Sequence, residues 1–140
     1  MIDSTVFLDT GFAIALLSPR DQYHAAALRL AVEIQRQGTK VITSDTVLLE
    51  IGAALAKLTY RLAAIKLIDG LRSDSKVEIV LLDNKLFDAG YQLFRKRPDK
   101  EWSLTDCISF IIMQEQHISQ ALAADEHFRQ AGLIPLLLQI

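Results

Sequence analysis

The sequence is poor in the residues that would tie it to several protein classes. It has one cysteine, Cys107, so no internal disulfide can staple it. A lone thiol in the apolar stretch around Ile108, Phe110 and Ile111 is expected as a buried side chain in a reducing compartment. Three prolines and six glycines are too few for a collagen-like, linker-like or low-complexity chain, and 51% hydrophobic residues exclude disorder. Basic residues are not in excess: 15 Lys and Arg stand against 17 Asp and Glu, a net charge of −2. Nucleic-acid binding would therefore rest on a local patch or on metal ions, not on overall charge. The sequence shows no run of about 20 apolar residues and no charged-then-apolar leader. That pattern is expected of a soluble cytoplasmic protein with no membrane partner.

What is present is an alternation of short apolar runs and longer helical patterns over 140 residues, which suits one domain, 1–140, with a substantial core. Thr5-Val6-Phe7-Leu8 reads as a strand buried on both faces and stopping at Asp9, Thr10 and Gly11. Lys40 to Thr43, Val77 to Leu82, Gln120 to Ala124 and Ile134 to Leu138 read as further strands. Helical spacing predicts helices over Phe12 to Leu17, Asp21 to Gln37 (closed by Gly38), Thr46 to Leu58 (capped by Ser44-Asp45) and Leu62 to Leu71. Others follow from Asn84 to Arg97, from Ser103 through Met113 and from Glu126 to Ala131. The Asp21 helix carries an apolar stripe of Ala25, Leu28, Val32 and Ile34, and the Thr46 helix one of Val47, Leu48, Ile51, Leu55 and Leu58. The helix through Cys107 and Met113 is the most apolar and is expected beneath the sheet. Strands alternating with helices imply a three-layer α/β fold, a central parallel sheet with helices on both faces joined by right-handed crossovers.

Four acids stand out. Asp9 and Asp125 each follow a strand, Glu50 lies one turn into the helix after the second strand, and Asp106 lies in the first turn of the apolar helix. All four are expected at the carboxyl edge of the sheet, where ligands of open α/β sheets gather. A plainer reading competes for three of them. Asp9 and Asp125 are placed to cap helices, and Ser103-x-x-Asp106 is close to a capping box; Asp83 reads as a cap as well. Glu50 fits that reading least, because a carboxylate in an apolar stretch is costly unless something positive meets it. Two carboxylates at ~4 Å and an effective dielectric near 20 repel by about 4 kcal/mol, so four in one cleft call for cations. Oxygen ligands favour a hard ion, Mg²⁺ or Mn²⁺, and such ions can activate water and hold a phosphodiester. Thr10, Ser44 and Thr105 lie beside the acids and could hydrogen-bond a carboxylate or phosphate, or serve in caps and turns.

Other features admit two readings each. His24 and His117 read as surface residues, while His127 stands close to Asp125. Arg95, Lys96, Arg97 and Lys100 form the one concentrated basic stretch, ending at Trp102; it could meet RNA phosphates and stack a base. The other reading is a solvated loop whose tryptophan packs inward. Asp9-Thr10-Gly11 also matches the aspartic-protease signature, but that chemistry belongs to all-β chains, whereas this sequence is largely helical in period. An aspartyl phosphoryl-transfer site would need a second Asp two residues on. The apolar surplus between Leu55 and Leu71 suggests a homodimer interface.

The ordered set Leu8-Asp9-Thr10-Gly11-Phe12, Ser44-Asp45 with Leu48-Leu49-Glu50, Trp102-Ser103-Leu104-Thr105-Asp106-Cys107, and Ala124-Asp125 with His127-Phe128 and Gln130-Ala131-Gly132 resembles the successive motifs of the PIN-domain family. The likeness is greatest to its small VapC-like toxin ribonucleases and spans the chain in the family's order. It implies a parallel sheet of order 3-2-1-4-5 and a Mg²⁺- or Mn²⁺-dependent endoribonuclease site at Asp9, Glu50, Asp106 and Asp125. It also implies an RNA substrate, a homodimer and a cognate antitoxin. Two positions depart from the family pattern: Gly11 replaces an Asn common two residues after the first acid, and His127 stands where many members have a further acid. The rival reading is a non-catalytic RNA-binding or scaffold module on the same fold, with the acids only capping helices.

Overall fold

A computed structural model describes residues 1–138. Strands β1 (Thr5–Leu8), β2 (Lys40–Ser44), β3 (Val77–Val80), β4 (Gln120–Leu122) and β5 (Ile134–Pro135) form one sheet of order β3-β2-β1-β4-β5. Every neighbouring pair is parallel. Phe7 of the central strand sits between Ile42 and Ala121, and it is buried on both sides, which is why β1 is a continuous apolar run rather than an alternating one.

The helices are α1 (Thr10–Leu17), α2 (His24–Gln37), α3 (Asp45–Ala54), α4 (Leu58–Ser73), α5 (Asn84–Lys96), α6 (Leu104–Glu115) and α7 (Glu126–Gln130). The path steps from β1 to β2 to β3 in one direction, then returns across the sheet to β4 and β5. Right-handed crossovers therefore put α1–α4 on one face and α5–α7 on the other. The contacts agree: α1 meets α2, α3 and α4, whereas α6 meets α5 and α7. The reversal between β1 and β4 is the switch point of the sheet.

Local chemistry explains where the elements depart from expectation. Asp21 accepts the Tyr23 N–H at 2.8 Å, an Asx-type turn that delays α2 until His24. Its buried line is Ala26 and Ala27, with Leu30, Ala31 and Ile34 partly buried, whereas Leu28 and Val32 are 45% and 66% exposed. Of the expected stripe only Ile34 packs against the core, and the buried positions of the helix are alanines. The helix after β2 stops at Ala54, which turns Leu55 into the core, and Leu58 begins α4 with 89% of its surface exposed. The last strand is only Ile134–Pro135, because proline offers no further ladder donor. The chain then tightens into a 3₁₀ turn, Leu136–Leu138, that buries Leu136 and Leu137.

Helix α6 is buried as its composition suggests, through Cys107, Ile108, Phe110, Ile112 and Met113. Helix α5 lies against it so closely that a Cβ on Gly90 would stand 2.6 Å from Ile108 Cγ1 and 3.2 Å from Ile108 Cα. An edge-to-face series links the loop before α6 to α7: Trp102 and Phe110 centroids are 5.1 Å apart, as are those of Phe110 and Phe128. No helix among the described residues is long and apolar enough to cross a membrane.

The same substitution should act with opposite sign at two glycines. Gly90→Ala overpacks the α5–α6 contact and should cost roughly 1–3 kcal/mol. Gly52→Ala, in α3 with nothing within 4 Å, should stabilise by about 0.5–1 kcal/mol through helix propensity alone. Denaturant midpoints of the two variants check this; a stable Gly90→Ala protein would contradict the packing described.

Candidate active site

The backbone at the switch point is held from both sides. Thr43, fully buried on β2, donates its hydroxyl to the Leu8 carbonyl at 2.8 Å. The Asp9 N–H donates to the Leu122 carbonyl on β4 at 3.1 Å. Asp9 thus leaves the end of β1 with its main chain tied to both neighbouring strands. It occupies the N-cap position of α1, yet its side chain makes no cap hydrogen bond. A pure capping role is thereby removed for this residue, and the carboxylate, 8% exposed as a residue, faces a cleft.

That cleft, of about 960 Å³, is lined by Asp9, Thr10, Gly11, Ile14, Glu50, Ala53, Ala54, Glu101, Ser103, Asp106, Ala124, Asp125, Glu126 and His127. All four acids singled out in the sequence meet there, joined by Glu101 and Glu126. Among the described residues no Lys or Arg lines it.

Each of the other three acids is oriented by a hydrogen bond that leaves oxygen free for the cleft. Thr10 Oγ1 donates to Glu50 Oε1 at 2.8 Å. Glu50 is therefore met not by a cation but by a hydroxyl from the residue after Asp9. Asp106 completes a capping box: its N–H donates to Ser103 Oγ at 3.0 Å, and its Oδ2 accepts the Ser103 N–H at 3.1 Å. Asp125 caps α7 by accepting the His127 N–H on Oδ1 at 2.9 Å. Capping and lining the cleft are therefore not alternatives for Asp106 and Asp125; the cap fixes the carboxylate that lines the cleft. His127 Nδ1 lies 2.9 Å from Asp106 Oδ2 and 3.3 Å from Asp125 Oδ2.

The electrostatic cost falls on Asp9. Burial, and then the negative charge of Asp106, push its carboxyl from 3.8 up to about 7; the Thr10 N–H opposes this, and Glu50 and Asp125 add to it. The site therefore resists the charge of this carboxyl.

Other candidate residues are placed elsewhere. Ser44 is fully buried and caps α3, accepting the Val47 N–H at 3.2 Å and pairing with Thr46 Oγ1 at 2.7 Å. Thr105 is half-buried in the first turn of α6 and is not among the cleft residues. Trp102 is 5% exposed and donates from Nε1 to Gln130 Oε1 at 3.0 Å, so its ring has no free face for a base and instead ties the Asp106 loop to α7. Arg97 lies over that ring, 5.0 Å from its centroid, and pairs with Asp99 at 2.9 Å. Arg95 and Lys96 are exposed and Lys100 half-buried, on the segment that leads to Glu101 and Ser103 of the cleft. Asp83 caps α5 as expected, accepting the Leu86 N–H at 2.8 Å. Thr43, Glu101 and Glu126 were not foreseen: Glu126 adjoins Asp125, but nothing in the sequence around Thr43 marks a hydroxyl aimed at the end of β1.

Fold and cleft define a doubly wound parallel α/β protein whose carboxylates converge at the switch point of its sheet. The sequence pattern of the PIN domain matches residues 6–133, and the chain belongs to the PIN-domain family. It is 28% identical over 129 residues to the 23S rRNA-specific endonuclease VapC20 of two Mycobacterium tuberculosis strains, across 92% of this chain and 95% of each relative. The crystal structure of M. tuberculosis VapC20, a Sarcin-Ricin loop cleaving toxin, matches with a TM-score of 0.83 at 27% identity over 93% of this chain and 97% of that one.

The Asp9 carboxyl sets a pH dependence of stability. Because its folded value of about 7 lies above 3.8, the folded chain holds a proton that the unfolded chain releases. Stability is then greatest below about pH 4 as far as this group is concerned, and is lost as pH rises to and through 7. The full difference corresponds to on the order of 4 kcal/mol. Asp9→Asn should flatten this decline and melt several degrees higher than wild type at pH 8, as followed by thermal denaturation in chelator. Equal slopes for the two proteins would refute the assignment.

Proposed function

We propose that this chain is a metal-dependent endoribonuclease that hydrolyses RNA phosphodiester bonds, and that it acts in the cytoplasm as the toxin of a toxin–antitoxin pair. One observation carries the reading: on a PIN fold, six carboxylates line one cleft without a single Lys or Arg among them. Hard oxygen donors, and an Asp9 carboxyl that burial and the neighbouring carboxylates hold against ionisation, fit a divalent cation, Mg²⁺ or Mn²⁺. Asp9, Asp106 and Asp125 would hold it, with Glu50 completing the shell or orienting water. When bound, such an ion supplies water activation and neutralises charge on the phosphate.

The rest of the site serves positioning. Thr10 keeps Glu50 turned toward Asp9, and Ser103 and the α7 backbone hold Asp106 and Asp125. Buried Phe128 and Trp102 fix the elements that carry them. Attack by water leaves a 5′-phosphate and a 3′-hydroxyl. Arg95, Lys96 and Lys100, on the segment that leads to the cleft, would meet RNA phosphates, with Arg95 over the Tyr91 ring and Arg97 engaged by Asp99. The names of the relatives make a ribosomal RNA hairpin the substrate class to try first. A second copy of the chain would pack on the exposed apolar stripe Leu58, Leu62 and Ile65 of α4, near Leu49 of α3, and a cognate antitoxin would restrain the enzyme.

The test is cleavage of ribosomal RNA with Mn²⁺ present. Wild type should give 5′-phosphorylated fragments, abolished by chelator, and Asp9→Asn or Asp106→Asn should cut at least about 100-fold more slowly, as loss of several kcal/mol of transition-state stabilisation requires. Chelator-resistant cleavage, or full activity in both variants, would overturn the reading. Lys96→Ala should weaken RNA binding and lower the slope of log K against log salt by roughly 0.7, with no effect on ion binding; an unchanged slope would remove Lys96 from the RNA path.

A further inference from the structure

We infer that His127 is a nitrogen ligand of the divalent ion in this cleft, and that it gives the site a preference for Mn²⁺ over Mg²⁺. The inference rests on the metal-dependent reading above and adds to it a residue that is not a carboxylate. One ligand atom each from Asp106, Asp125 and His127 lie within 4.8 Å of one another. Nδ1 stands 2.9 Å from Asp106 Oδ2 and 3.3 Å from Asp125 Oδ2. Adjacent donors on an octahedral ion with bonds of roughly 2.1 Å are about 3.0 Å apart. Nδ1 thus stands from one oxygen of each aspartate at about the spacing of neighbouring donors on one ion, and Asp9 lines the same cleft.

The ring is also held in place. His127 lies in the first turn of α7, its N–H caps onto Asp125 at 2.9 Å, and the next residue, Phe128, is fully buried. Ordering the ligand therefore costs little. Because a carboxylate oxygen only accepts, Nδ1 is the donor in the arrangement seen here; coordination requires the ring's proton on Nε2, leaving a neutral imidazole. Imidazole nitrogen is a poor partner for Mg²⁺, which takes oxygen and water, and a good one for first-row transition ions. Replacing a carboxylate by His127 thus trades Mg²⁺ affinity for selectivity.

Electron spin-echo spectroscopy of Mn²⁺-loaded wild type should show ¹⁴N modulation from a directly bound nitrogen, absent in His127→Gln. Competition titrations should show the ratio of Mn²⁺ to Mg²⁺ affinity falling at least 10-fold in His127→Gln, mainly through weaker Mn²⁺ binding. Mn²⁺ bound to wild type without nitrogen modulation would overturn the inference while leaving the metal-dependent reading intact. An equal loss for both ions would also overturn it, making His127 a positioning residue, and tighter binding of both ions would make it an internal counter-charge. Failure of wild type to bind either ion would defeat the metal-dependent reading and this inference together. Should His127→Gln fail to fold, the wild-type spectrum alone decides.

Discussion

Repulsion among carboxylates at the switch point is the constraint around which the chain is arranged. Asp9 is buried beside Asp106, Glu50 and Asp125, and among the described residues no Lys or Arg lines their cleft. Such an arrangement persists only if the backbone carrying each acid cannot move away. The cross-strand tie from Thr43 to Leu8 and the ladder bond from Asp9 to Leu122 hold the first acid. Helix caps hold Asp106 and Asp125. The stability of the parallel sheet, whose central strand is buried on both faces, offsets the cost concentrated at its edge.

Packing remote from the cleft sets its geometry. Helix α6 carries Asp106 at its exposed start and a continuous apolar body behind it. The aromatic series from Trp102 through Phe110 to Phe128 locks the loop before α6 to α7, and so fixes the separation of Asp106 from Asp125. Gly90 lets α5 close over α6 without displacing it. Trp102, at the end of the basic stretch, is a structural link between two acid-bearing elements and not a surface for stacking a base.

The α/β alternation, the strand order implied by the family resemblance and the convergence of Asp9, Glu50, Asp106 and Asp125 were all legible before any coordinates. The reason is physical: doubly buried strands read as apolar runs, and acids that follow strands must fall at one edge. Roles were harder to read than places, because a cap and a cleft carboxylate have the same sequence signature, and in Asp106 and Asp125 one residue serves as both. The stripe expected of α2 holds at Ile34 and fails at Leu28 and Val32, because the helix buries small alanines, Ala26 and Ala27, which a search for large apolar residues passes over. Leu58 broke its expected stripe because the chain ends α3 early to bury Leu55. Ser44, Thr105 and Trp102 were adjacent to acids in sequence, but caps, helix phase and the Gln130 hydrogen bond direct them elsewhere. Thr43 and Glu101 enter the site only through tertiary placement, which no local pattern encodes.

The central claim is that this cleft is built to hold a divalent cation between carboxylates that otherwise repel. Anomalous diffraction at the manganese edge, from crystals of the wild-type chain soaked in Mn²⁺, addresses it directly. The account predicts a peak within bonding distance of carboxylate oxygens of Asp9, Asp106 and Asp125. Manganese found only at exposed acids away from the cleft, with the four acids unchanged and no peak between them, would contradict it.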